Sequence, residues 1–428
     1  MICLDIESFS PTILQTIALL QYYCRFPLPE FEIRIMTDTP NNAAQLASST
    51  LKAQKNELIA EYAVRNNIKA FIQTMTTILP YFVLFYFAIE SLKISYWLAA
   101  GITLILTLFI IRVFVMLHDC GHNCLYVNPR ENKIAGFIFG VLCGVPQYVW
   151  SKHHDYHHST NGNWEKYRGP LAVLSVDQYA ELTEKGKKSY ANQRNLRLAP
   201  MAGFLYFIFN PRFTWMKGSI QFAIFFIKQK LAKLSKPASE INSDSNKEFK
   251  TNYWNTWQEY RHMTANNLVL LTAWVFAASY FGVIEFFSIY IVALSLAGAI
   301  GIVLFTVQHN FEESYAASSE DWDYFVAALD GTSFLKLPKF LNWFTADIAY
   351  HHVHHLSARI PNYNLVKCHE QYKHLFDRVR RISLSEIPNA FKYIIWDNHT
   401  SKIISVEQYE ANYNTQADEV SMEPSPSA

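Results

Sequence analysis

The chain contains few charged residues and no surplus of either sign. Asp, Glu, Lys and Arg account for 17% of its 428 residues, and the formal net charge is +1 at pH 7. Because there is no block of Lys and Arg, we expect no nucleic acid among the partners of this protein. Half of the residues are hydrophobic and 15% are aromatic, which is more apolar than most soluble proteins of this size. The composition therefore predicts a membrane protein.

Cysteine is also scarce, with six residues scattered along the chain. Cys120 and Cys124 alternate with histidines, and the other four cysteines are widely spaced. This spacing does not resemble a disulfide framework, so we predict reduced thiols that face the cytosol. On a helix, Cys120 and Cys124 lie about half a turn from His118, which favours core packing over metal binding.

Histidine, in contrast, is concentrated in three short clusters that hold ten of the fifteen histidines. HDCGH spans His118–His122, HHDYHH spans His153–His158 and HHVHH spans His351–His355. Neutral imidazole is the commonest protein ligand for transition metals. The clusters therefore predict a metal centre built from distant parts of the sequence.

The spacing within the clusters indicates two metal ions. Residues i, i+3 and i+4 share one face of a helix, so each cluster presents a convergent set of imidazoles. His309, in QHNFEE, follows an apolar run much as His118 does. Nine candidate ligands are too many for one first-row ion and suit two: His118, His122, His154, His157, His158, His309, His351, His354 and His355. We predict no catalytic residue beyond these metal ligands.

Other side chains near the clusters are candidates to orient the metal ligands, by hydrogen bonding to the ring nitrogen that does not bind the metal. Asp347 stands four residues before His351, and His153 and His352 are each rotated by about 100° from the first ligand of their cluster. Carboxylates commonly hold ligating histidines in one tautomer. The predicted supporting residues are Asp119, Asp155, Glu312, Asp347, His153 and His352.

Simpler explanations and other metal templates fit less well. One histidine pair on a helix is unremarkable, but so many unliganded imidazoles near apolar segments would leave many polar nitrogens unsatisfied. The HExxH pattern of zinc metalloproteases is absent, and only Glu259 with His262 matches the Glu-x-x-His pairs of soluble di-iron bundles. The histidines outside the clusters are expected to be ordinary: His262, His369, His374 and His399.

Four apolar runs are long enough to cross a bilayer, which needs roughly 20 apolar residues. Residues 90–95 link the first pair into a hairpin, and residues 285–287 link the second. Arg112 lies near the end of its span, where its long side chain is expected to reach the membrane surface. The predicted spans lie near residues 71–89, 96–117, 268–284 and 288–307.

The shorter apolar stretches 134–149, 201–209 and 220–227 are predicted as interfacial or re-entrant helices. If 134–149 crossed the bilayer, the first two histidine clusters would lie at opposite membrane faces. With four spans, all three clusters share one face. The segment 118–266 is rich in Lys and Arg, whereas the hairpin links hold only Lys93, so we expect the histidines and both termini to be cytosolic.

These motifs resemble the integral-membrane fatty acid desaturase family. HDCGH, HDYHH at His154–His158, and HHVHH followed by LSARIPNYNL resemble its three histidine boxes, and QHNFEE resembles its additional histidine. The resemblance runs from about Phe71 to Leu375. It implies an all-α membrane protein in which four transmembrane helices, in two hairpins, are capped by a cytosolic helical di-iron domain with two iron ions (Fe2+/Fe3+).

The resemblance also implies an oxygen-dependent enzyme that introduces a double bond into an acyl chain. The partners would be an acyl-lipid or acyl-CoA substrate, O2, the lipid bilayer and a separate electron carrier of ferredoxin or cytochrome type. The carrier is expected to be separate because the His-Pro-Gly-Gly signature of a fused haem domain is absent. The RIPNYNL sequence favours a lipid-linked chain. Tyr148, Trp150, Trp164 and Trp343 are candidates to line an acyl channel or to anchor the protein at the interface.

Two other functions stay open from the sequence. A histidine-box hydroxylase or ketolase acting on lipids or carotenoids would use the same metal pair. A membrane metal transporter is less favoured, because a transport path needs polar groups inside the spans and these spans have none at mid-depth. The expected location is the bacterial inner membrane or the endoplasmic reticulum.

The chain divides into three parts on this interpretation. Residues 1–70 form a cytosolic amino-terminal region, in which 1–35 is a possible gene-model extension because Met36 could start translation. Residues 71–400 form the membrane desaturase domain. The polar tail 401–428 is predicted to be disordered.

Overall fold

The structure is a computed structural model that describes residues 42–167, 172–235 and 249–414. The possible extension at 1–35 lies outside the described residues. Helices make up most of the described chain, and five short strands within it form two small sheets. The predicted all-α class is therefore correct for the bulk of the fold and omits the sheets.

Nine α-helices occupy the described part of the chain up to residue 235. They are α1 Asn42–Tyr62, α2 Asn67–Ser91, α3 Tyr96–Gly121, α4 Pro129–Cys143, α5 Gln147–Thr160, α6 Val176–Ala180, α7 Glu184–Gln193, α8 Ala199–Phe204 and α9 Asn210–Ser235. A 3-10 turn, Leu196–Leu198, precedes α8, and a π-helical turn, Leu205–Phe209, joins α8 to α9. The predicted short helices 201–209 and 220–227 thus belong to one continuous helical stretch.

Eight further α-helices lie between residues 249 and 414. They are α10 Trp257–Phe281, α11 Val283–His309, α12 Tyr324–Asp330, α13 Lys339–Phe344, α14 His351–Leu356, α15 Asn362–Gln371, α16 Ile387–Ala390 and α17 Val406–Tyr409. The 3-10 turns Lys373–Leu375 and Leu384–Glu386 and a π-helical turn, Glu410–Asn414, complete the helical elements described here.

The two small sheets join distant segments around the histidine-bearing helices. The strands are β1 Leu174–Ser175, β2 Ser333–Lys336, β3 Arg380–Ser383, β4 Tyr393–Asp397 and β5 Lys402–Ser405. The first sheet has the order β1-β4-β5, with β1 parallel and β5 antiparallel to β4. In the second sheet β2 pairs in parallel with β3, and α14 lies between these strands in the chain.

The carboxyl-terminal tail begins later than the sequence indicates. Residues 402–405 form β5, in which Ile403 and Ile404 are buried, and residues 406–414 continue as helical turns. The tail predicted from residue 401 is therefore wrong for 402–414, because two adjacent isoleucines pair this segment with β4. Residues 415–428 lie outside the described residues.

Three described helices, α2, α3 and α11, are long and apolar enough to cross a membrane. The pair α4 and α5, bent by 100°, is a further candidate as a broken span or a re-entrant loop. Helix α10, which holds most of the predicted span 268–284, is not among them. Its apolar run starts only at Leu268, after several polar residues, and the helix ends at Phe281. Three apolar helices establish the membrane character, whereas the four-span layout stays a prediction.

The turn of the second hairpin lies at a single glycine. Gly282 has a φ of +101° and separates α10 from α11, whereas residues 285–287 form the first turn of α11. Glycine adopts positive φ without the steric cost of a Cβ atom. The predicted link at 285–287 is therefore wrong by a few residues. The first hairpin turns as predicted, with Ser95 capping α3 through a hydrogen bond from the backbone N–H of Leu98.

Arg112 does not reach towards the membrane surface. Its side chain is buried in the helix bundle, where Nε donates to Thr77 Oγ1 at 3.0 Å and the guanidinium lies 3.9 Å from the centre of the Trp343 ring. The predicted orientation is wrong because a hydroxyl acceptor and an aromatic face satisfy the cation inside the protein.

Close packing of small residues fixes the position of α8 against α11. A Cβ atom placed on Gly203 would lie 2.2 Å from the carbonyl oxygen of Ser295, and one on Gly298 would lie 2.6 Å from the Cα of Gly203. Both contacts are with backbone atoms, which cannot rotate away. A larger cluster of buried hydrophobic side chains is shared by α2, α3, α4 and α11.

We predict that Gly203→Ala lowers the free energy of unfolding by about 1–3 kcal/mol, because overpacking at a rigid crossing forces backbone shifts. Thermal unfolding of the purified protein in detergent measures this change. Gly101→Ala in α3 is the matched control, because a Cβ there meets no atom within 4 Å. Equal unfolding midpoints for the two variants would contradict the packing argument.

Candidate metal centre

The nine predicted ligands come together in the structure as two separate groups. Within each group, one nitrogen of every ring lies within 4.8 Å of one nitrogen of every other ring. The two groups consist of histidines alone. The first group is His118, His122, His154, His158 and His354; the second group is His157, His309, His351 and His355.

Four helices deliver these side chains. His118 lies in the last turn of α3, and His309 is the final residue of α11. Helices α5 and α14 supply the second and third clusters. Two helices that are apolar enough to cross a membrane therefore end at the same site, as the sequence predicts.

Each of the short helices α5 and α14 contributes to both groups. On α5, His154 and His158 face the first group while His157 faces the second. On α14, residues 351 and 355 face the second group while residue 354 faces the first. Within each HxxHH motif, two rings therefore belong to one histidine group and the third ring belongs to the other. The sequence predicted convergence but did not divide the ligands between two ions.

The rings approach one another through their Nε2 atoms. In the first group, Nε2 of His158 lies 3.0 Å from Nε2 of His154 and 3.0 Å from Nε2 of His354. In the second, Nε2 of His309 lies 2.9 Å from Nε2 of His351. Each of these contacts can contain at most one hydrogen. Nitrogen lone pairs are therefore left, and they point towards the centre of each group.

Several ring nitrogens in the two groups are buried without a partner. Nε2 of His118 and of His122, and Nδ1 of His157 and of His351, have no hydrogen-bond partner among the described residues. Buried polar atoms are rarely left unsatisfied in proteins. A bound cation would satisfy the Nε2 lone pairs of His118 and His122, and a set of imidazoles suits first-row transition metals such as iron. The residues present therefore fit the two metal ions that the sequence predicts.

Two carboxylates contact the first histidine cluster. Asp119 Oδ1 lies 3.0 Å from Nδ1 of His118, and Asp155 Oδ1 lies 3.3 Å from Nδ1 of His122. Asp119 accepts the Nδ1 hydrogen of His118, so the Nε2 lone pair of that ring is left free to face the metal site, whereas Asp155 makes a close polar contact with His122. The buried Asp119 also accepts from the backbone N–H of Asn362 at 2.8 Å, whereas the side chain of Asp155 is 60% exposed.

The other two predicted carboxylates lie elsewhere. Glu312 is exposed and interacts with Tyr393. Asp347 does not share a helix with His351, because α14 begins only at His351 and Asp347 occupies a turn with a φ of +56°. Burial raises the pKa of Asp347 to about 6, and the charge of Arg112 opposes the shift. The shared helical face predicted for Asp347 is therefore wrong.

The two supporting histidines also differ from each other. His153 is exposed and belongs to neither group. His352 is buried behind α14, where its Nε2 lies 2.8 Å from Nδ1 of His369. His369, which the sequence gives no reason to single out, thus supports the third cluster through its contact with His352.

Additional contacts position ligands that the sequence does not connect. The backbone carbonyl of Gly331 accepts from Nδ1 of His309 at 3.1 Å, and the hydroxyl of Tyr324 donates to the carbonyl of His355 at 2.8 Å. No spacing signal could have found these partners, because they are distant in sequence.

One of the four predicted aromatic residues contacts the site directly. Trp150 stacks on the ring of His154 with centres 4.6 Å apart, and its Nε1 donates to the hydroxyl of Tyr206 at 2.9 Å. The four-residue spacing between Trp150 and His154 on α5 is a signal that could have predicted this contact. The acyl channel stays a prediction.

Electrostatics favour neutral imidazoles in the third cluster. Burial lowers the pKa of His351, His354 and His355 well below the usual value, and the surrounding histidines lower it further. A neutral ring keeps the lone pair that a metal ion requires.

The cysteines near the site do not join it. Cys120 and Cys124 are buried and belong to neither group, as the sequence predicts. Burial raises the pKa of the Cys124 thiol, which donates to the backbone carbonyl of Asp119 at 3.3 Å. A protonated thiol is a poor metal ligand.

Comparison with known proteins identifies relatives of this architecture. The fatty acid desaturase family model matches residues 95–384. A fatty acid desaturase of Bacillus subtilis (strain 168) is 32% identical over 354 residues, which cover 82% of this chain and 90% of the relative. An sn-2 acyl-lipid omega-3 desaturase (ferredoxin), chloroplastic, of Helianthus annuus is 25% identical over 302 residues, 69% of this chain and 59% of that protein. An acyl-lipid omega-3 desaturase (cytochrome b5), endoplasmic reticulum, of Arabidopsis thaliana is 26% identical over 293 residues, 67% of this chain and 65% of that protein.

The matched segment 95–384 contains all nine histidines of the two groups and the apolar helices α3 and α11. The match covers more than half of the chain, and the bacterial relative is aligned over most of both proteins. The resemblance seen in the histidine motifs is confirmed: this chain belongs to the fatty acid desaturase family.

Proposed function

We propose that this protein is an oxygen-dependent desaturase that holds two iron ions through its nine clustered histidines and introduces a double bond into a lipid-linked acyl chain. The observation that carries the proposal is the division of nine histidines into two adjacent groups with unpartnered, buried nitrogens. Two bound iron ions would supply the redox chemistry with O2 that removes two hydrogens from neighbouring methylene groups.

The contribution of the chain is to hold the ligands rigidly and keep them neutral. Asp119 accepts the Nδ1 hydrogen of His118, and the Gly331 carbonyl accepts that of His309. Trp150 covers the ring of His154. Because Asp119 and Gly331 occupy the outer nitrogens of His118 and His309, the inner nitrogens of these rings stay available for the ions, and the burial of the rings excludes bulk water.

The membrane arrangement supports a substrate that enters from the bilayer. We propose four spans, with α10 and α11 as the second hairpin, and a cytosolic site with both termini on the same side. This layout is supported by the apolar helices α2, α3 and α11 and by the ends of α3 and α11 at the site. The names of two plant relatives include the words acyl-lipid, which supports a lipid-linked chain here.

Electrons would come from a separate protein. The names of the plant relatives mention ferredoxin and cytochrome b5, and this sequence lacks the haem-domain signature His-Pro-Gly-Gly. We therefore propose an external carrier of one of these two types.

Expression of the chain in a host with a known fatty-acid profile should yield a new unsaturated species, detected by mass spectrometry. We predict that His118→Ala, His157→Ala and His354→Ala each abolish this product, since each removes one ligand from a group. His153→Ala is the control and should retain the product, because His153 is exposed outside both groups. A hydroxylated or keto product in place of the alkene would contradict desaturation.

We also predict that Asp119→Asn weakens iron binding by about tenfold to a hundredfold, because the amide no longer enforces the tautomer of His118. Iron per polypeptide, measured after equilibration with a chelator, reports this loss. Asp155→Asn should have a smaller effect, since Asp155 is 60% exposed and its contact is longer. Wild-type iron retention by Asp119→Asn would show that the carboxylate does not orient the ligand.

A further inference from the structure

A pocket with both polar and apolar lining, Phe137 included, lies beside the metal centre and is not used by the proposed chemistry. Three helices enclose it, and its floor is formed by a side chain from α10. Its lining includes Lys133 of α4, Gln147 and Tyr148 of α5, and Gln258, His262 and Asn266 of α10. Gln147 connects the pocket to the back of the metal site, because its Nε2 donates to Ser151, which packs against Gly121 beside His122.

The floor of the pocket carries an unsatisfied amide. Asn266 is 1% exposed, and neither its Oδ1 nor its Nδ2 has a hydrogen-bond partner among the described residues. An amide buried without partners costs free energy, so this side chain is prepared to bind a polar ligand. Gln258 places a further amide group in the same lining, whereas Nε2 of Gln147 already donates to Ser151.

The rim of the pocket is positively charged. Lys133 is exposed, and the pKa of His262 is lowered first by burial and then by the nearby charges of Arg261 and Lys133. Glu259, which follows Gln258 of the lining, is paired with Lys152 at 3.0 Å. The charges of Lys133 and Arg261 are therefore left to attract an anion.

The pocket also lies at the level where the protein surface changes from polar to apolar. Asn266 is two residues before Leu268, the start of the predicted third span, and Leu268 is 52% exposed. Ile134 and Ile138, next to the pocket on α4, are exposed as well. On the membrane arrangement proposed above, this is the depth of the lipid headgroups, where phosphate is the abundant anion.

We propose that this pocket binds the phosphate group of a glycerophospholipid. Amide and lysine donors converge on the pocket, the rim supplies the positive charge and the flanking apolar side chains contact the acyl chains. The inference rests on the proposed membrane orientation and is independent of the iron chemistry. It adds a lipid-binding site beside the metal centre.

Binding to the purified full-length protein in dodecyl maltoside tests the proposal. The probe is dihexanoyl phosphatidylglycerol, and dihexanoylglycerol is the matched lipid without phosphate. Dissociation constants follow from the dependence of the unfolding midpoint on ligand concentration. We expect phosphatidylglycerol to stabilise the protein and dihexanoylglycerol to have little effect. Equal stabilisation by both lipids would overturn the proposal.

Two variants locate the site. Lys133→Gln removes the rim charge, and Asn266→Asp puts a carboxylate at the floor without changing the shape of the side chain. Each should weaken phosphatidylglycerol binding by about tenfold or more, as expected for the loss of a charge-assisted hydrogen bond. Arg130→Gln is the control, since Arg130 is an exposed basic residue of α4 outside the lining, and its affinity should stay near that of the wild type. Wild-type affinity in both test variants would overturn the assignment, and Lys133→Gln, being on the surface, is informative even if Asn266→Asp fails to fold.

Inorganic phosphate and coenzyme A distinguish the source of the phosphate. Binding of either one through Lys133 and Asn266, without binding of phosphatidylglycerol, would overturn the assignment to a lipid. Iron content and acyl product are measured on the same preparations. Absence of lipid binding in an active, iron-loaded protein overturns this inference alone, and lipid binding without iron overturns the proposed function alone.

Discussion

Nine imidazole rings are buried together beside the ends of apolar helices, and their nitrogens must be satisfied without bulk water. Burial keeps the third-cluster rings neutral, and neutral rings cannot stabilise one another by charge. Four nitrogens in the two groups have no partner among the described residues. A cation at the centre of each group would satisfy the nitrogens that face it, among them Nε2 of His118 and of His122. The surrounding fold can be understood as the means of holding the rings in that arrangement.

The helices that bear the first and third histidine clusters are restrained on their outer sides. The carboxylate of Asp119 contacts His118 and also accepts from the backbone of Asn362, so the first cluster is joined to the segment after the third. Strand β2 precedes α14 in the chain and β3 follows it, and these two strands pair in parallel. His352 and His369 form a contact behind the same helix. These restraints come from segments far apart in sequence, and they hold the two groups adjacent to each other.

The sequence predicted the site better than the fold around it. Histidine spacing on short helices is a local property, so eight of the nine candidate ligands could be chosen from i, i+3 and i+4 positions, and His309 from its place at the end of an apolar run. The division of His157 from His154 and His158 could not, because it depends on where the helix axes lie. The four-residue spacing of Asp347 and His351 predicts a shared helical face, which is wrong because the helix starts at His351.

Prediction of the membrane segments from the sequence is limited in the same way. Apolar runs located α2, α3 and α11, but Arg112 is satisfied by Thr77 and Trp343, which lie far away in the chain. The turn at Gly282 depends on the backbone freedom of one glycine, and the run of apolar residues continues across it. The strand β5 forms only because β4 is beside it. Long-range contacts of this kind leave little trace in local composition.

The most direct test of the two-group site is the metal content of the purified full-length protein. Elemental analysis should find close to two iron atoms per polypeptide, since each group offers at least four imidazoles. Removal of one ligand from either group should lower that number. A protein that is folded and yet contains no iron, or a single metal ion, would contradict the account.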